Sequence, residues 1–300
     1  MKTKTYLFAL MTMALTLGSC SDNENGIGGE TSKYITVSTS IGNMTRVATD
    51  ANGGQTFEEG DEISVYAWIG APTVAPETRE RVVNNAINKL TNGSWVSTPQ
   101  MLWKNNRDKH YFIGVYPTAA ISDLSAGEYT FDANKQTESD LLVAVNPDGL
   151  SYNADEQQTV PLTFTHVMAK LAVNLTYKNQ WGGIPTVEKV VVGNAAKEAT
   201  INYLTKVVTP STTAKEDFSL PEITENTKYV SVIIPQEDVK QLTIVIGGKN
   251  FVYDNGTPFK LESGKITTVN LEVGRDEIKL GDVKITDWED GSTFSGEAIN

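Results

Sequence analysis

The sequence is poor in the residues that metal, redox and disulfide chemistry require, with one cysteine and two histidines among 300 residues. A structural zinc site needs several Cys or His ligands together, and a disulfide scaffold needs paired cysteines. Neither His110 nor His166 has a Cys or a second His near it in the sequence. Positive charge is also in deficit: 25 basic residues face 37 acidic ones, for a net charge of −12 and a pI near 4.7. Nucleic acid and anionic lipid headgroups reward Lys and Arg, so both are excluded as electrostatic partners. Catalytic signatures are missing as well. There is no Gly-x-Ser-x-Gly elbow and no Ser-x-x-Lys opening a helix, and Gly247-Gly248-Lys249 lacks the flanking residues of a phosphate loop. Paired acids such as Glu58-Glu59, Asp61-Glu62 and Glu289-Asp290 fit acidic turns more simply than the two carboxylates of a glycosidase. The expectation is a protein with no cofactor, no metal and no catalysis.

Long apolar runs are absent with one exception. Tyr6 to Leu17 form an apolar stretch behind Lys2 and Lys4. It falls short of the ~20 residues needed to span a bilayer and has the layout of a signal peptide. It ends in Leu17-Gly18-Ser19-Cys20, which resembles a bacterial lipobox, with the Cys20 thiol as the lipid acceptor. The alternative is an ordinary secretory signal with a chance cysteine. Cleavage before Cys20 removes two lysines and no acid, so the net charge deepens from −12 to −14. Acyl chains, at ~0.8 kcal/mol per buried CH₂, would hold such a chain on a membrane despite that charge. Residues 20–32 read as a polar tether: Ser21-Asp22-Asn23-Glu24-Asn25, then Gly26 to Gly29. In enterobacteria an Asp there suggests inner-membrane retention, whereas in Bacteroidetes lipoproteins a short acidic stretch resembles a surface-export signal.

Beyond residue 30 the chain alternates or runs in β-branched residues, as in Tyr34–Ile41, Glu62–Ile69, His110–Tyr116, Lys170–Tyr177, Tyr229–Ile234, Leu242–Gly247 and Lys265–Val273. Turn signals such as Asn92-Gly93, Pro147-Asp148-Gly149 and Ser263-Gly264 separate the runs. Many short strands with few helix signals predict an all-β fold. The one candidate helix, Glu77–Leu90, has Val82, Val83, Ala86, Ile87 and Leu90 at helical spacing, although Arg81–Val83 fits a strand equally well. A single sandwich holds ~100 residues, so the body divides into two: a β-sandwich domain over 33–158 and a second over 159–300.

Several short motifs occur in an order that resembles one family. They are Thr45-Arg46-Val47 after the first strand, Phe57-Glu58-Glu59-Gly60-Asp61-Glu62-Ile63, and Trp95 and Trp103 ahead of Tyr116-Pro117. Then come Asp140-Leu141-Leu142-Val143-Ala144, Pro161 to Leu171 (PLTFTHVMAKL), Ile233-Ile234-Pro235-Gln236, and Trp288 to Gly291. Over residues 15 to 291 the order is similar to that of the fimbrillin family of Bacteroidales, the Mfa-like lipoproteins that build type V pili. The resemblance implies two tandem transthyretin-like β-sandwich domains behind a lipoprotein signal peptide (residues 1–19). It implies that an arginine-specific protease removes the first strand, with Arg46 and Val47 at the processing position, and that a terminal strand from the next subunit fills the groove. The partners it implies are other fimbrial subunits, in a homo- or hetero-polymer, and the outer membrane through the lipid anchor. A host or bacterial surface glycan or protein is a further partner for an adhesive subunit. The terminal Ser292–Asn300 alternates poorly for a donor strand, which leaves stalk, tip, anchor and accessory positions open.

A rival reading is a surface glycan-binding lipoprotein, with Trp68, Trp95, Trp103, Trp181 and Trp288 as sugar-stacking faces. Trp68 and Trp103, flanked by strand-like residues, fit the core better.

Overall fold

Alternating and β-branched runs leave half of each strand apolar, and such faces are stable only when they meet. A computed structural model describes residues 33–42, 56–153, 156 and 158–288 of the chain. Cys20, Arg46, Val47 and Ser292–Asn300 lie outside the described residues.

The described chain is all-β. Its first part contains β1 (Thr36–Ile41), β2 (Glu62–Ile69), β3 (Val83–Thr91), β4 (Ser94–Thr98), β5 (His110–Tyr116), β6 (Gly127–Thr130), β7 (Leu142–Leu150) and β8 (Thr159–His166). The second part contains β9 (Ala169–Tyr177), β10 (Val187–Ala196), β11 (Glu198–Asn202), β12 (Val207–Pro210), β13 (Lys215–Ser219), β14 (Glu222–Thr224), β15 (Lys228–Ile233), β16 (Gln236–Ile246), β17 (Lys249–Leu261), β18 (Lys265–Val273) and β19 (Ile278–Asp287).

Seven strands form one sheet in the order β1-β8-β7-β5-β2-β3-β4. Its central strands β2 and β5 are almost continuously buried, as their largely apolar sequences require. One face, with Ile63, Val65, Phe112, Leu162 and Phe164, encloses a core of its own, to which Ile35, Val37, Met101 and Trp103 also contribute. The other face carries Tyr66, Trp68, Ile113 and Val115 into a second core shared with the later strands. Those strands form a four-stranded sheet, β13-β10-β16-β17, and a five-stranded sheet, β14-β15-β9-β18-β19. Across the 158/159 division drawn from sequence, β8 pairs with β7 and β1, and β6 pairs with β11.

Glu77–Leu90 is not a helix. Thr78–Glu80 is a single 3-10 turn, and β3 follows it. The helical spacing of its apolar residues comes from a bulge. Val65 and Ala67 of β2, two residues apart, face Ala86 and Val83 of β3, three apart, with Asn85 at φ +55°. The extra residue places apolar side chains at a spacing of three on one face of a strand.

Candidate functional site

By strand pairing, the first strand is joined to the described fold from one side. β1 runs parallel to β8 in unbroken register from Thr36↔Thr159 to Ile41↔Phe164, with β8 its one strand partner among the described residues. Just before β1 the chain pairs antiparallel with the segment after β4: Ile35 N–H donates to Met101 O (2.9 Å) and Trp103 N–H donates to Lys33 O (3.1 Å). The seven-stranded sheet therefore curls until its two edges, β1 and β4, face each other. Ile35 and Val37 point inward and are buried, and Thr39 and Ile41 continue the same face half-buried. Thr36, Ser38 and Ser40 point outward, where the Thr36 hydroxyl donates to Gln158 O (3.2 Å) and the Ser40 hydroxyl to Thr163 Oγ1 (3.2 Å). This polar outer face suits an edge, and the apolar inner face suits a groove.

A cavity of about 620 Å³ lies along the seam, between β1 and the β3–β4 turn. Trp95 of β4 crosses it, and its indole N–H donates to Thr39 Oγ1 at 3.0 Å. Phe57 closes one end, with its ring edge-on to Trp95 (5.3 Å), Tyr116 (5.3 Å) and Phe164 (5.1 Å). The residues after Phe57 explain why it sits there. Gly60 takes φ +98°, the Asp61 carboxylate accepts from Glu58 N–H (2.7 Å), and Gly60 N–H and Leu90 N–H tie the turn to β3. Without a Cβ, glycine turns the chain there at little cost, so the Phe–x–x–Gly–Asp spacing is a turn that aims an aromatic ring. A second cavity of about 710 Å³ shares Ile41, Thr56 and Phe57 with the first and runs on past Asp140, Lys170 and Val232. Two sections of one groove thus meet at the end of β1.

Four residues from three motifs that are distant in sequence come together near that end. His166 Nδ1 lies 2.8 Å from Asp140 Oδ1, the His166 ring stacks on Trp288, and the Lys170 ammonium lies 4.1 Å from the Trp288 ring centroid. The last described residue, Trp288, is thereby fixed to the end of the first sheet. His110 is different. Its Nε2 accepts from Lys104 N–H (3.1 Å) and its Nδ1 faces Asp108 O (3.1 Å), so both nitrogens are used by backbone. Burial lowers its pKa. Among the described residues, no group of three His, Cys, Asp or Glu is placed to hold a metal ion. No described helix is long and apolar enough to cross a membrane.

The tryptophans do not form a sugar platform. Trp68, Trp103 and Trp288 are buried, Trp95 is half-buried against Phe57, and Trp181 is half-buried with its N–H on Val273 O (2.9 Å). The core placement read from sequence for Trp68 and Trp103 holds. The Trp95–Thr39 contact carries no sequence signal, because the partners lie 56 residues apart.

A family model described as fimbrillin-like matches residues 45–288. Among solved structures, a candidate cell adhesion protein from Bacteroides ovatus is similar over 85% of this chain and 98% of its own, at 18% identity and a TM-score of 0.62. A second, from Bacteroides uniformis, is similar over 78% of this chain and 93% of its own, at 19% identity and a TM-score of 0.59. A fimbrial protein from Bacteroides vulgatus is similar over 84% and 99%, at 13% identity and a TM-score of 0.52. No curated protein matches the chain. At these identities the likeness to solved structures establishes the fold.

Proposed function

The chain belongs to the fimbrillin-like family, and from that premise we propose that it is a fimbrial subunit, structural or adhesive and without catalysis, exported as a lipoprotein through Cys20. In this reading the body is two transthyretin-like domains carried at the outer membrane and cell surface. Cleavage after Arg46 frees β1, and a strand from another fimbrial subunit takes its place.

The observation that carries the reading is the attachment of β1. It is an edge strand with one strand partner, its inner residues fill an apolar groove, and Arg46 follows it within a few residues. Loss of β1 would uncover the row of β8 N–H and C=O groups together with the apolar side chains of Val160, Leu162 and Phe164. An added strand satisfies both at once. On the donor side, β19 is an edge strand whose one partner among the described residues is β18, and its Val283 and Ile285 are 40% and 38% exposed. Its sequence alternates better than that of Ser292–Asn300.

Digestion of the recombinant mature protein with an arginine-specific protease tests the reading. The expected result is a discrete product beginning at Val47 and a ladder of SDS-resistant oligomers. An Arg46 that resists cleavage, or a cut product that stays monomeric, removes the assembly mechanism. Labelling with a palmitate analogue tests export separately: wild type takes up label and Cys20→Ala does not.

A further inference from the structure

A side-chain hydrogen bond joins the two edges of the seven-stranded sheet across the seam. Trp95 lies on β4, Thr39 lies on β1, and the indole N–H reaches Thr39 Oγ1 at 3.0 Å. The edge-on contact with Phe57 (5.3 Å, 82°) and half-burial fix the indole in that direction. An indole nitrogen is a donor only, and among the described residues Thr39 is its sole hydrogen-bond partner. Thr39 is also the odd member of its row. Ile35, Val37 and Ile41 are apolar, whereas the third inward position is polar. A strand that fills the groove with an apolar side chain at that position leaves a half-buried N–H without a partner.

We propose that Trp95 is the specificity-determining residue of the groove, resting on the strand-exchange reading above. It selects an extended segment with apolar side chains at the first, second and fourth inward positions and a hydrogen-bond acceptor (Ser, Thr, Asn, Gln or Asp) at the third. The partner is thus the terminal strand of another subunit with this alternation. Apolar pockets supply most of the attraction, while the indole rejects strands that are apolar throughout. Discrimination of this kind comes from the cost of an unpaired polar group more than from the bond itself.

The test uses the mature chain nicked by an arginine-specific protease and two fluorescent peptides. One has the sequence of residues 33–42, and the other is the same peptide carrying Thr39→Val, which keeps the side-chain shape and removes the acceptor. The expected result is that both displace β1, with the substituted peptide about fivefold to tenfold weaker, as loss of an acceptor for a half-buried donor implies. Trp95→Phe keeps an aromatic ring against Phe57 and should make the two peptides equal. Equal displacement by both in the wild type overturns the selection and leaves strand exchange standing. A difference that persists in Trp95→Phe overturns Trp95 as its source. A chain left intact at Arg46, or one that exchanges neither peptide, removes the strand-exchange reading and this inference with it. In the uncut chain, hydrogen exchange of the β1 amides gives a second measurement. Thr39→Val and Trp95→Phe should each speed opening, and the double variant should open no faster than either, whereas additive effects would show that the two residues are not coupled.

Discussion

The imidazole of His166 lies flat on the indole of Trp288, with ring centroids 3.9 Å apart and planes within 8°. His166 ends β8, the strand that holds β1, and Trp288 follows β19, so this stack joins the groove's supporting strand to the far end of the described chain. β19 needs such an anchor, because nearly all its length is exposed.

Trp288→Ala should therefore loosen β19 before anything else. Truncating a buried tryptophan costs about 3–5 kcal/mol, and here the loss falls on an edge strand. Hydrogen exchange should show faster exchange across Ile278–Asp287 with β2 and β5 unchanged. Unaltered protection of β19 would mean that its pairing with β18 alone is sufficient.

Val37→Asp should release β1 in the uncut chain. Val37 is buried opposite Val160 in the apolar groove, and an unpaired carboxylate there costs several kcal/mol. Protection of Thr36–Ile41 should be lost while that of His110–Tyr116 stays. Global unfolding would mean that β1 is integral to the sheet, which would weigh against exchange.

Gly114→Ala tests the floor of the groove. A Cβ at Gly114 would lie 2.6 Å from Phe164 Cζ and 3.1 Å from Leu162 Cδ1, both side chains of β8. Overpacking of this kind costs about 1–3 kcal/mol. The melting temperature should fall, and β1, paired to the displaced β8, should exchange faster.

Burial holds the pKa of His110 below its ordinary value, so the unfolded chain binds this proton more readily than the folded one. The stabilising contribution is present above the unfolded-state pKa near 6.5 and is lost as pH falls from there toward the lower folded-state value. Urea midpoints should drop across that interval. His110→Phe, which keeps an aromatic edge against Trp103 (now 5.0 Å away), should flatten the slope in this window while lowering stability at neutral pH.

Much of this architecture could be read from the chain. Glu62–Ile69, His110–Tyr116 and Lys265–Val273 are strands residue for residue, because an apolar or alternating run bounded by turns has few other stable outcomes. The short strands β6, β12, β13 and β14 carry no periodic signal of their own, since partners elsewhere in the chain decide whether they form. The bulge at Asn85 made β3 look helical. At the groove, Phe57, Trp95 and Tyr116-Pro117 stand out as motif residues, but their spacing carries no sign that Phe57, Trp95 and Tyr116 share one aromatic cluster. Asp140, the His166–Lys170 pair and Trp288 stand in three separate motifs whose meeting is a matter of tertiary packing.

Past the end of β14, the edge of β15 is closed by a side chain. Gln136 Oε1 accepts from Val232 N–H at 2.7 Å and from the Ser231 hydroxyl at 3.2 Å, in the place where a neighbouring strand would bond. At this stretch the chain's own amide must be evicted before another strand can dock, so the fold shields this part of the edge against lateral association.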